Sequence, residues 1–194
     1  MKRSSNARAG VLVILLAAVL LPITTGQAMP PSIQKATTGD VNRKVSTSAA
    51  TPAGNRPAQM EFQYTAGRGG GLELKLLLPD ATSLKGFNFD DFEGPDAPSG
   101  NHKLGQLRAQ SAAGAAVFDT TVSGSFATDT EFAFAVWLKA MPLSLKTKFA
   151  RALAGADAKL TFTLHGFKKP SQIISSTVTD AEFLSTLGQQ FKRR

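Results

Sequence analysis

The clearest alternation of apolar and polar positions runs from Glu131 to Ala140, EFAFAVWLKA. It sets Phe132, Phe134, Val136 and Leu138 on one side and Ala133, Ala135 and Trp137 on the other. A side-chain period of two is the mark of a strand. Val117 to Phe126 alternates in the same way, with Phe118, Thr120, Val122 and Phe126 against Asp119, Thr121, Ser123 and Ser125. Ala127-Thr128-Asp129-Thr130 is a loop of hairpin length, so the two stretches predict a β-hairpin with a Phe-rich face. A second hairpin is predicted upstream. Met60, Phe62 and Tyr64 alternate, the pattern resumes at Leu72, Leu74, Leu76 and Leu78, and Pro79-Asp80 ends it. The turn between them, Ala66 to Gly71, lacks the GxxxxGK[ST] spacing. It also lies between strand patterns instead of before a helix, so it reads as a hairpin loop and not a phosphate cradle.

Elsewhere the period changes. From Pro142, Leu145, Phe149, Ala152, Leu153 and Ala156 fall within an arc of about 100° if the stretch is helical, with Lys148 and Arg151 outside it. A helix over 143–154 follows, started by the proline. Lys159 to Phe167, KLTFTLHGF, returns to alternation, and Ile173 to Val178 is a further extended piece. Thr179-Asp180-Ala181-Glu182 then has the spacing of a capping box ahead of the stripe Phe183, Leu184, Leu187 and Phe191. This predicts a C-terminal amphipathic helix, with Lys192, Arg193 and Arg194 complementing its negative end. Leu104 and Leu107 suggest a short edge strand. The pattern as a whole predicts a mainly β fold, a β-sandwich or a partly open barrel of antiparallel hairpins, carrying these two helices. The order strand, helix, strand around 143–154 leaves α+β, with a right-handed crossover, as the alternative.

The first 28 residues follow a different logic. Lys2, Arg3 and Arg8 precede an unbroken apolar run, Val11 to Leu21, and Gly26-Gln27-Ala28 offers a small-x-small cleavage site. This is the layout of a cleaved secretory signal peptide, and the run is far shorter than the roughly 20 residues of a membrane-spanning helix. Residues 29–58 are rich in Pro, Ser, Thr and Ala, with few apolar positions, and read as a disordered linker. Residues 59–194 then form one globular domain of ordinary size.

Composition narrows the chemistry. The chain has no Cys, which removes disulfides, thiolate metal sites and Cys nucleophiles. An exported chain without bridges suits a bacterial periplasm or cell exterior. The formal charge is +8, and loss of the three cations in the first 28 residues leaves +5, a mild basicity that favours anionic partners. Basic and aromatic residues are not interleaved, so nucleic acid is not an expected partner. The only carboxylate cluster, Asp90, Asp91, Glu93 and Asp96, supplies weak calcium candidates, but its spacing departs from the EF-hand loop and a solvated acidic loop is favoured. With only His102 and His165, and with no GxSxG, HExxH or SxxK, the usual catalytic constellations lack parts. No cofactor is expected.

One short stretch carries a resemblance. LTFTLHGFKKP, Leu160 to Pro170, resembles the Leu-Thr-x-His-Gly-x-x-Lys-Pro strand ending of a family of periplasmic lipocalin-like proteins that bind polyisoprenoids. That family's aromatic-His and Arg-Asp-x-x-Leu motifs are not found in this chain. The resemblance implies a barrel around an apolar ligand and assigns no residue. The expectation from the residues themselves is an exported, non-enzymatic binding module engaging a protein partner or an envelope component, through a sheet edge or the basic helix face of Lys146, Lys148 and Arg151. The alternative is a carrier of a lipid-like ligand lined by Phe87, Phe89, Phe118, Phe126, Phe132, Phe134 and Phe162, and a hydrolase ranks third.

Overall fold

Ten short strands and two α-helices are the main elements among the described residues. The computed structural model describes residues 33–35, 43–52, 58–65, 71–80 and 86–192. The expected signal peptide, most of the glycine-rich turn and the last two arginines lie outside the described residues. The strands are β1 (Ile33–Lys35), β2 (Arg43–Ala50), β3 (Ala58–Thr65), β4 (Gly71–Leu77), β5 (Gly105–Ser111), β6 (Gly114–Thr120), β7 (Ser123–Thr128), β8 (Glu131–Trp137), β9 (Lys159–His165) and β10 (Ile173–Val178). Helix α1 (Leu143–Ala152) follows β8, and α2 (Ala181–Lys192) closes the chain.

The strands form a single antiparallel sheet in the order β6-β5-β9-β10-β2-β3-β4-β8-β7, with β1 beside the first half of β2. The outermost members, β6 and β7, are consecutive in the chain and joined only by Thr121 and Val122, so the sheet curls back on itself as a half-barrel. The fold is therefore mainly β, and the partly open barrel is the version adopted. Strands β8 and β9, which flank α1, lie in different parts of the sheet, so no parallel crossover forms and the α+β alternative is set aside.

Both predicted hairpins are present, with two corrections. The alternation over Val117 to Phe126 belongs to two strands, not one. Phe118 sits in β6 opposite Leu107, whereas Phe126 sits in β7 opposite Phe132. The break falls at Val122, which turns inward and is fully buried; a Cβ on Gly105 would lie 2.2 Å from its Cγ2, so this corner closes only over a glycine. The Leu104–Leu107 segment is likewise no edge. It enters β5, which is paired on both sides, with β6 and β9.

The larger correction concerns the expected linker. Arg43–Ala50 is β2, paired with β3 over seven positions from Arg43↔Tyr64 to Ala49↔Ala58. Its inward residues, Val45 and Ala49, are buried, but Ser46, Thr47 and Ser48 dilute the pattern. Those hydroxyl-bearing residues are used. Against β10 the ladder has only two pairs, and the Thr47 hydroxyl donates to the Thr177 carbonyl at 2.9 Å while the Ser176 hydroxyl donates to the Ser48 carbonyl at 2.7 Å. Polar side chains thus complete a seam of the sheet, which is why the segment has the composition of a linker.

The hollow of the sheet is filled with aromatic rings. Phe87, Phe89, Phe92, Phe126, Phe132, Phe134 and Phe162 form one connected network, with centroid separations from 4.6 to 6.4 Å. Such edge and offset contacts are favourable beyond the area they bury. Met60, Leu72, Leu74, Leu76, Leu107 and Leu160 are fully buried beside them. The helices seal another side. Phe183 of α2 meets Phe62 edge-on, and Phe149 of α1 packs against Phe191 of α2.

Candidate functional site

The acidic loop is built into the fold by two of its carboxylates. Asp91, 4% exposed at the end of the 3-10 turn Phe89–Asp91, accepts the Asn88 side-chain amide at 2.9 Å and the Phe167 backbone N–H at 2.9 Å. It ties the loop to the β9–β10 turn. Glu93 accepts the Phe126 backbone N–H at 3.3 Å, and the Phe92 carbonyl accepts the N–H of Gly124 at 2.9 Å. Segment 92–93 therefore lies along the outer edge of β7, with a parallel bridge between Glu93 and Gly124. Asp90 and Asp96 are exposed, and among the described residues no group of three metal-capable side chains converges.

The two histidines are held by other groups. The His102 ring packs at a tilt against Phe167, centroids 4.5 Å apart, and His165 Nδ1 lies 3.4 Å from the Pro170 carbonyl in the β9–β10 turn. Ser123 and Ser125 lie exposed on β7, as the hairpin reading expected.

The concave feature that gathers chemistry lies outside the sheet. A groove of about 650 Å³ runs between α1, the end of α2 and the β5–β6 turn, lined by Ala113, Leu143, Thr147, Ala150, Arg151, Ala154, Gly155, Phe191 and Lys192. Helical spacing produces it. Leu143, Thr147, Ala150 and Arg151 recur at three and four residues along one side of α1, with Ala154 just beyond its end; Ala150 is buried at the base of the groove, and Phe149 and Ala152 are buried on the opposite side. Leu143 is 65% exposed, an unusual position for a leucine at the head of an amphipathic helix. Small residues keep the wall low. Gly155 sits so close to the β5 end that a Cβ there would come within 2.7 Å of Ser111. At that end of the groove the Asp157 carboxylate is engaged, accepting the Ala112 N–H at 2.8 Å.

Two cations border the apolar floor, Arg151 from α1 and Lys192 from α2, and among the described residues neither is in an ion pair. Of the three basic residues expected on the helix, the structure places Arg151 on the groove. Lys148 is exposed and Lys146 half-buried on α1, and neither lines it. Leu143, Phe191 and Lys192 were not foreseen as parts of a site. The exposed leucine within a helical pattern was the one available signal, because the helix period leaves Leu143 off the buried stripe.

No family model, curated protein or solved structure matches the chain.

Proposed function

We propose that this chain is an exported, non-enzymatic binding module that docks an anionic partner in the groove between α1, α2 and the β5–β6 turn. The observation that carries this reading is an apolar floor, open to solvent, bordered by two cations without ion-pair partners among the described residues. Two features favour it over a lipid carrier and a hydrolase. The Phe side chains that would line an internal ligand site contact one another instead, and the two histidines engage a ring and a backbone carbonyl. Export rests on the layout of residues 1–28 and places the protein in a periplasm or outside the cell.

The reading is tested by retention of the purified chain on envelope extract, compared with the double variant Arg151→Glu/Lys192→Glu. Retention that is lost in the double variant and weakens with salt is the expected result. Retention that the variant leaves intact contradicts it.

A further inference from the structure

Resting on that reading, we propose that the occupant of the groove is an acidic polypeptide segment anchored by a bulky apolar side chain. Shape argues for a chain over a membrane surface. A bilayer presents a flat face and leaves a concavity of about 650 Å³ unfilled, whereas a peptide inserts one or two side chains and keeps its backbone at the mouth. The walls suit this. Ala113, Ala150, Ala154 and Gly155 project little, so an incoming backbone comes close while its anchor reaches Leu143 and the edge of Phe191.

Charge supplies the second half. Arg151 presents a planar fork of donors that matches a carboxylate, and it stands on the opposite helix from Lys192. Lys192 also offsets the carbonyl end of α2, so Arg151 is the principal partner for an acidic side chain. Asp157, the carboxylate beside Gly155, accepts the Ala112 N–H and is not among the residues that line the groove. The recognition is therefore bipartite, an apolar anchor in the groove and acidic residues toward Arg151.

The experiment is selection of a random peptide library displayed on phage against the purified chain. Its arms are binding of the selected peptides to Ala154→Trp, Leu143→Glu and Arg151→Glu, and competition by phosphatidylglycerol vesicles. Ala154 and Leu143 are exposed, so these substitutions leave the core untouched, which circular dichroism verifies. Peptides rich in Asp and Glu around an aromatic residue or Leu are expected. Each variant should weaken their binding by about tenfold or more, and vesicles should not displace them. Selected peptides that are neutral or basic, or that bind Ala154→Trp as well as the parent, overturn the inference. Vesicle binding that Ala154→Trp abolishes, with no acidic peptide selected, overturns it in favour of lipid while leaving the anionic-docking reading in place. No groove-dependent binding of either probe overturns both.

Discussion

At the scale of single residues, position in space separates side chains that look alike in sequence. Asp90 and Asp91 are neighbours in one acidic run, yet Asp90 is exposed and Asp91 is buried with both carboxylate oxygens accepting hydrogen bonds. Its second donor, the Phe167 N–H, lies 76 residues away, and nothing local announces that contact. Replacing Asp91 with Ala orphans two donors at a part-buried site, a loss of about 1–3 kcal/mol in chemical denaturation. Asp91→Asn keeps one acceptor oxygen and should lose less. Gly124 gives a second residue-scale prediction. A Cβ there would come within 2.2 Å of the Phe132 ring, which is held by Phe89, Phe126 and Phe134, so Gly124→Ala should destabilise by about 1–3 kcal/mol.

A titration shift at Lys75 also belongs to this scale. Lys75 lies 2.8 Å from the Glu131 carboxylate, and this hydrogen bond and charge attraction raise its pKa. A cation whose folded pKa is raised contributes stability that is fully present below its ordinary value and is lost as pH rises through the folded value. The pair therefore supports the β4–β8 contact at neutral pH and fades above about pH 10. Both groups are partly solvated, so Glu131→Gln should cost less than about 1 kcal/mol at neutral pH. The gap between variant and parent in thermal unfolding should close as the solution becomes strongly alkaline.

Elements were legible to the degree that one buried face dominates their sequence. The strands β3, β4, β8 and β9 bury a large apolar side chain at nearly every inward position, and all four were read from period alone. Strand β2 escaped because it buries only Val45 and Ala49 and completes its pairing to β10 through hydroxyls. The start of α2 shows a finer slip. The spacing of Thr179 and Glu182 suggests a capping box, but the group that caps the helix is Asp180, whose carboxylate accepts the Phe183 N–H at 2.7 Å. Asp180→Ala should therefore cost about 1 kcal/mol in thermal or denaturant unfolding, and Thr179→Ala should be close to neutral. The reverse order would restore the capping box.

For the molecule as a whole, the sheet's path makes β2 indispensable. It is the central member of the nine-strand order, and removing it strips β3 of a seven-position ladder and opens the sheet between β10 and β3. A chain starting at Ala58 should fail to fold, which circular dichroism and hydrogen exchange would show; a natively folded product would return residues 43–50 to the status of a linker. The candidate site was only partly visible at this scale. Arg151 stood out as a basic residue on a helix face, but the groove needs α1, the end of α2 and the β5–β6 turn together, and their meeting depends on pairings between strands far apart in the chain. The Phe content, by contrast, was plain, and its use was not. The same rings would line a cavity or fill a core, and only their mutual distances distinguish the two.

That distinction is the most direct test of the proposal that this chain binds at its surface and not around an enclosed ligand. The measurement is native mass spectrometry of the protein purified without detergent from the envelope of its own host. The expected mass is that of the chain alone, from Met29 if the proposed signal is removed, or that mass plus a polypeptide. An added mass in the lipid range that survives gentle ionisation would contradict it, because the ring network would then have to open to hold the ligand.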